Sequence, residues 1–121
     1  MTQEEILEGN KLIAKFMGYT WSKENDNKTY LKSTPDQKNI YSIRPQLLKY
    51  HSSWDWLMPV VEKIESLVFW FNIKKNHVTV AWDNKNSLDS KMIHSEFGDQ
   101  SKIERVYSCV VAFIKYHNEN N

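Results

Sequence analysis

Apolar residues recur at helical spacing in three parts of the chain, and residues that start or stop helices flank each part. The first predicted helix covers residues 3 to 17. Thr2 and Glu5 form a capping box at its start, and Gly18 supplies a left-handed stop at its end. Its apolar stripe consists of Ile6, Gly9, Ile13, Phe16 and Met17. A glycine inside the stripe indicates either that another element approaches closely or that the helix is locally weak.

The second predicted helix covers residues 53 to 66 and contains two tryptophans and a proline. One of its faces carries Trp54, Leu57, Val61 and Ile64. Trp56 lies roughly 200° around the helix axis from Trp54. We therefore expect Trp54 in the core and Trp56 at the flank or surface, where partner contact and a structural role are about equally favoured. One of the two preceding serines caps the helix, and Pro59 predicts a kink or an irregular first turn.

The third predicted helix follows Ser101, which forms a second capping box with Glu104, and it runs to about Tyr116. Its apolar stripe consists of Ile103, Tyr107, Val110 and Ile114. Cys109 lies within the apolar run "YSCVVAFI", so we interpret it as a small buried hydrophobic residue rather than a nucleophile. Residues 117–121 form an Asn-rich tail, which we expect to fray.

Runs of β-branched and aromatic residues predict short strands between the helices. "GYTW" and "KTYLKS" predict a hairpin around the polar segment "SKENDN", and "NIYSIRP" predicts a short edge strand that Pro45 closes. The clearest hairpin surrounds "KKNH". Its two apolar faces carry Phe69, Phe71 and Ile73 on the first strand and Val78, Val80 and Trp82 on the second. Apolar residues on both faces of the first strand indicate a central position, and "KMIHSEF" predicts a further strand.

The order of the elements is helix, two or three strands, helix, two or three strands, helix. This order predicts an α+β fold in which three helices pack on a mainly antiparallel sheet. The chain has 121 residues, of which 40% are hydrophobic, so it can bury one core without disulfides or metal ions. We therefore expect residues 1–121 to form a single small domain.

Charge and cysteine content narrow the classes of function. Sixteen basic and fifteen acidic residues give a net charge of +1, so no global field attracts nucleic acid or an anionic membrane. The single cysteine excludes an internal disulfide. Together with the lack of a leader or a long apolar span, it favours a cytoplasmic location without membrane contact.

Residue patterns that carry catalysis or metal binding are weak. The four histidines are far apart in the sequence and match no metal-binding spacing. His94 and Glu96 share one face of a predicted strand, but a zinc site needs three or four protein ligands. The chain has neither a glycine-rich phosphate loop nor a nucleophile elbow. We therefore predict a protein that is not an enzyme and binds no metal or cofactor.

A local excess of basic residues between positions 28 and 50 is the main candidate for a nucleic-acid contact. Its cations are Lys28, Lys32, Lys38, Arg44 and Lys49. They oppose a single acidic residue, Asp36, and alternate with three tyrosines, a combination that suits a phosphate backbone and stacked bases. Lys74 and Lys75 form a second, smaller patch in a predicted turn. Such clusters also occur on ordinary solvated surfaces, so both interpretations stay open, and Trp56 is added as a candidate partner contact.

Three blocks of the chain carry a resemblance to a known family. "NKLIAKFMG", "YHSSWDWLMPVVEKIES" and "SKIERVYSCVVAFIKYHNEN" resemble small accessory proteins of Bacteroidetes phages and prophages, similar to the phage α/β/α sandwich domain. The blocks cover somewhat over a third of the chain. The resemblance implies a three-helix α+β layout and a protein that acts in the host cytoplasm. It supplies no active site.

Phage proteins of this size often bind and block a host factor. The resemblance, the lack of a catalytic set and the basic stretch therefore favour a non-enzymatic, anti-CRISPR-like inhibitor that contacts a nuclease effector or its guide RNA. Its partner would be a host protein or ribonucleoprotein. Two alternatives stay open: a structural phage protein that self-associates through exposed aromatics such as Trp56 or Trp70, and a protein that sequesters a small signalling nucleotide.

Overall fold

The computed structural model forms two compact units, Met1–Lys49 and Tyr50–Asn121, here called the first and second units. It describes residues 2–22, 29–33, 40–43, 45–68, 70–83, 90–96 and 98–119, with side chains for 2–19, 46–68, 70–82, 92–96 and 98–119. The α+β class and the order of helices and strands agree with the prediction. The strands form two antiparallel sheets of three, and the expected single domain stays a prediction.

The first unit contains one helix and three strands, and the helix has both predicted end signals. The elements are α1 (Gln3–Phe16), β1 (Thr20–Ser22), β2 (Thr29–Ser33), β3 (Ile40–Ile43) and a short 3-10 helix (Pro45–Leu47). The Oγ1 of Thr2 accepts a hydrogen bond from the Glu5 N–H at 3.1 Å, which satisfies one amide of the first turn. Gly18 has a φ of 97°, a left-handed conformation that favours glycine. Both predicted boundary signals are confirmed.

The three strands of the first unit pair in the order β1-β2-β3. Trp21 lies opposite Tyr30, and Leu31 lies opposite Ser42. The predicted hairpin and edge strand are therefore confirmed. Pro45 begins the 3-10 helix two residues after the end of β3, where its missing N–H removes no bond from the sheet.

The buried side of α1 includes a polar residue that the apolar pattern does not mark. The buried residues of α1 are Gly9, Asn10, Ile13 and Ala14, and Ile6, Phe16 and Met17 are half-buried. Asn10 Nδ2 donates to the carbonyl oxygen of the buried Leu48 at 3.1 Å. A bond of this kind contributes about 1 kcal/mol net to stability. It holds the segment after the 3-10 helix against α1. Gly9 is buried on the same helix, and the choice between close approach and local weakness stays a prediction.

The second unit contains two helices and three strands. The elements are α2 (Trp54–Glu65), β4 (Trp70–Ile73), β5 (His77–Asp83), β6 (Ser90–Glu96) and α3 (Lys102–Glu119). The strand order is β4-β5-β6, and both neighbouring pairs are antiparallel. The second hairpin and the further strand are confirmed. The central strand is β5, so the expectation that the first strand of the hairpin is central is wrong.

The core of the second unit lies between one face of this sheet and the two helices. Contacts join α3 to β5 and β6, and α2 to α3 and β4. The buried side chains are Tyr50, Leu57, Val60, Val61, Ile64, Val78, Val80, Trp82, Val106, Tyr107, Cys109, Val110, Phe113 and Ile114. Val78, Val80 and Trp82 alternate along β5 as predicted. The face of β5 that these three residues form is called the covered face.

Of the two tryptophans of α2, Trp54 departs from the expected position, whereas Trp56 lies at the flank as expected. Trp54 is 37% exposed. Trp56 is half-buried, and its ring meets the Tyr50 ring edge-on at a centroid distance of 5.3 Å. The core prediction for Trp54 is wrong because Trp54 is the first helical residue, where the incoming segment decides which side chains are covered. That segment places Tyr50 against Trp56.

The first turn of α2 precedes its proline and contains a shared hydrogen-bond acceptor. Pro59 lies inside the helix, which continues to Glu65. The Ser53 carbonyl oxygen accepts from the N–H groups of Trp56 at 3.1 Å and Leu57 at 3.0 Å. A shared acceptor mixes 3-10 and α geometry in the first turn. These bonds do not involve the amide that Pro59 lacks, so the effect of the proline itself stays a prediction. Ser53 is the N-cap by backbone conformation, without a side-chain capping bond.

The last helix begins as predicted and ends later than predicted. Ser101 Oγ accepts from the Glu104 N–H at 3.3 Å, which confirms the N-cap. The tail expected to fray from residue 117 is helical as far as Glu119, and residues 120–121 lie outside the described part of the chain. The His117 ring stacks on Phe113 one turn earlier, at a centroid distance of 5.9 Å, and this contact extends the packed part of α3.

Candidate interaction surface

On one face of the second sheet, none of the described side chains is fully buried. The residues that alternate with the covered face are Trp70 and Asn72 on β4, His77, Thr79 and Ala81 on β5, and Met92, His94 and Glu96 on β6. This set is called the open face. Trp70 is 51% and Met92 is 67% exposed, and the other members are exposed or half-buried. A sheet with helices on one face and aromatic and polar groups on the other has a surface available for binding.

Strand register arranges the open face in three rows. Trp70, Ala81 and Met92 form an apolar row. Asn72, Thr79 and His94 form a polar row beside it, and His77 pairs with Glu96 at the end nearest the hairpin turn. Side chains in neighbouring rows stand about 7 Å apart along a strand and about 5 Å apart between strands. The open face is therefore a graded surface, apolar at one end and polar at the other.

Two histidine rings lie together on the open face. Their centroids are 5.1 Å apart with a 40° angle between the ring planes. His77 Nδ1 is 3.0 Å from Asn76 Oδ1, and His94 Nδ1 is 2.9 Å from Thr79 Oγ1. Because each Nδ1 has a hydrogen-bonding partner, the two rings are oriented on the open face.

The turn between β4 and β5 places two lysines next to this histidine pair. The Lys74 N–H donates to the His77 carbonyl oxygen at 2.8 Å and closes a hairpin with two residues at its tip. Lys74, Lys75 and Asn76 are all exposed. The positive charge of the turn therefore adjoins the polar end of the open face.

Of the contact residues predicted from the sequence, some adjoin the open face, and the others lie elsewhere or outside the described residues. Lys74 and Lys75 adjoin the open face, and Lys49 is exposed in the first unit. Lys32 lies in β2 opposite Tyr41, but its side chain is outside the described residues. Lys28, Lys38 and Arg44 also lie outside the described residues. Trp56, the remaining candidate, packs against Tyr50.

The thiol of Cys109 and the hydroxyl group of Tyr107 are buried in the second unit. Cys109 is buried as predicted, and burial raises the pKa of its thiol to about 12. A thiol with so high a pKa holds almost no thiolate at neutral pH, so it is a poor nucleophile. Tyr107 is buried as well, and burial raises the pKa of its hydroxyl group. Within the described residues, no three His, Cys, Asp or Glu side chains converge as metal ligands.

Sequence patterns identified several open-face residues individually, but they did not predict that these residues form one surface. Trp70 was expected only as one exposed aromatic, and His94 with Glu96 only as a weak ligand pair. Thr79 and Met92 were missed. The signal that identifies them is alternation with the buried residues of each strand, and this signal requires the register of all three strands.

Comparisons with known proteins give no match. No family model matches the chain, and no curated protein or solved structure is significantly similar to it. The phage resemblance therefore stays an expectation. In the described part of the chain, none of the helices is both long and apolar enough to cross a membrane.

Proposed function

We propose that this chain is a non-enzymatic phage or mobile-element accessory protein that inhibits a host defence factor. Its partner is a nuclease effector with its guide RNA, bound in the host cytoplasm in an anti-CRISPR-like manner. The observation that supports the proposal is the open face, which presents exposed Trp70 and Met92 beside oriented histidines and two lysines. Tryptophan is enriched at the residues that dominate binding energy.

The organisation of the second unit also supports binding over chemistry. Its cysteine and its buried tyrosine contribute to packing, and their pKa values are raised by burial. The polar side chains of the open face are exposed or half-buried and stand on a sheet surface. Binding through such a surface requires positioned groups but no activated nucleophile.

The direct test combines interference and identification of the partner. In a host with an active CRISPR system, expression of the chain should restore plaque formation by a targeted phage, and Trp70→Ala should reduce this protection. A tagged chain should recover an effector that is identified by its guide RNA. Unchanged interference together with recovery of no defence ribonucleoprotein would contradict the proposal. Trp54→Ala, also an exposed tryptophan of the second unit, is the matched control and should protect fully.

A second candidate function is self-association as a structural phage component, which the position of β6 favours. β6 has seven residues and lies at an edge of its sheet, and strand edges readily pair with a second chain. Light scattering separates the two functions. A stable symmetric oligomer that leaves interference unaffected would favour self-association, whereas a monomer that binds the effector favours inhibition.

A further inference from the structure

We propose that the open face is a stacking platform for single-stranded RNA. This inference deepens the proposed function and rests on it for the source of the RNA, the exposed part of a guide. Three features of the second unit lead to it: the spacing of its exposed rings, the polar groups between them and the lysines at one end.

The rings are placed for separate bases. Trp70 is on β4 and His94 is on β6, one row apart, so their backbones are separated by about 12 Å from the usual strand spacings. At this separation of the backbones the two rings can contact different bases. Trp70 therefore takes one base, and the His77–His94 pair, with its centroids 5.1 Å apart, takes another. Proteins that recognise single-stranded RNA stack its bases on tryptophan and histidine rings in this way.

Polar side chains lie between the two ring positions. Asn72 and Thr79 occupy the row next to Trp70. Both side chains are short and half-buried, so their polar groups are accessible but have little freedom to move. Amide and hydroxyl groups hydrogen-bond base edges and the ribose 2′-hydroxyl. Thr79 also holds the His94 ring at 2.9 Å, which reduces the ordering needed when a base binds.

The charges favour a phosphate backbone at the turn end of the open face. Lys74 and Lys75 are exposed beside the histidine pair, and Glu96 is the one acidic side chain described on the face itself. Two lysine amines against one carboxylate give a local positive potential on a chain whose net charge is only +1. Binding should therefore depend on salt and be confined to this surface.

These features fit RNA better than a protein partner. The core of a protein interface is depleted in charged residues, and lysine is among the residues that interfaces disfavour. On the open face a single apolar row is followed by a polar row and then by the two lysines of the turn. A single strand can place its flat bases on the exposed rings and its negatively charged backbone against the lysines.

Fluorescence anisotropy of the full chain with a labelled, mixed-sequence RNA tests the inference. The probe is about 12 nucleotides long, within the site sizes of single-strand-binding surfaces. Trp70→Ala should weaken binding roughly 5- to 160-fold, the factor for the loss of about 1–3 kcal/mol of stacking on one base. Trp54→Ala is the control and should bind like the native chain, because Trp54 is exposed on α2 instead of on the sheet.

A second pair of variants tests the phosphate contacts. Replacing Lys74 and Lys75 with alanine should lower the slope of log affinity against log salt by up to about 1.4, since each phosphate contact on a single strand contributes about 0.7. The matched control replaces Lys102 and Lys115, two exposed lysines of α3, and should leave the slope unchanged. The same RNA in duplex form should bind weakly, because its bases are already stacked.

The outcomes separate this inference from the proposed function. No binding of the single strand at low salt, or equal losses in Trp70→Ala and Trp54→Ala, would overturn the RNA assignment. Equal affinity for DNA of the same sequence would overturn the choice of RNA. Capture of a ribonuclease-treated effector that depends on Trp70 would show a protein occupant, which overturns this inference and leaves the inhibitor proposal standing.

Discussion

Along β5, Val78, Val80 and Trp82 are buried, whereas His77, Thr79 and Ala81, one residue away in each case, belong to the open face. The covered face packs against α3, where Trp82 meets Phe113 edge-on at a centroid distance of 5.1 Å. The two faces therefore share one backbone and differ in their side chains and in what covers them.

This difference separates stability from binding in the second unit. A buried tryptophan contributes through area removed from water and through ring contacts, and Trp82 makes such contacts with Phe113 and Tyr116. A half-exposed tryptophan such as Trp70 contributes less on folding and keeps about half of its surface for a partner. Substitutions on one face should therefore change the free energy of unfolding, and substitutions on the other should change affinity.

The largest expected effect comes from the two tryptophans of the sheet. Trp82→Ala should lower the free energy of unfolding by about 3–5 kcal/mol, because it removes buried area and leaves a cavity. Trp70→Ala should lower it by less than Trp82→Ala does, because about half of Trp70 is already exposed in the folded chain. Urea denaturation of the full chain measures both values.

The control for this prediction is Trp82→Phe, which keeps an aromatic ring in the core and should lose less stability than Trp82→Ala. It provides the comparison if Trp82→Ala does not fold. A loss in Trp70→Ala as large as that in Trp82→Ala would mean that the two faces do not differ in the way described above.

Local signals predicted the parts of the fold that depend on neighbouring residues. Thr2 and Ser101 cap their helices because a hydroxyl reaches an amide three residues on, within one turn. Alternation likewise identified the covered face of β5. What periodicity does not give is the element that covers a face, so it missed the bond between Asn10 and Leu48, which are far apart in the sequence.

The candidate surface was predictable only in part, for a related reason. Lys74 and Lys75 stand out in the sequence because a polar turn interrupts two apolar strands. The open face combines residues from β4 and β6 that meet only through β5, and a register change of one residue would turn each side chain to the opposite face. The sequence therefore identifies the end of the surface at the turn but not its breadth.

A smaller effect is expected at the start of α3, the helix that packs on the covered face. Ser101→Ala should lower the free energy of unfolding by about 1 kcal/mol, because the Glu104 N–H loses its acceptor. Ser101→Asn, which keeps a capping oxygen, should retain most of the stability. RNA affinity should not change in either variant, and a loss of affinity in Ser101→Ala at a temperature where the variant is folded would show that the two faces are coupled.

The smallest effect concerns protonation of His51, whose ring meets Tyr107 of α3 at a centroid distance of 6.2 Å. Burial lowers the pKa of His51 below its ordinary value of 6.5. Below pH 6.5 the unfolded chain therefore takes up a proton more readily than the folded chain, and the contribution of His51 to stability falls as the pH decreases. Above that value the residue is neutral in both states and contributes no pH dependence.

Urea denaturation at pH values of about 7.5 and about 5.5, on either side of the ordinary value, should show a smaller loss of stability in His51→Gln than in the native chain. An equal loss in both would mean that the ring is as well solvated in the folded chain as in the unfolded one.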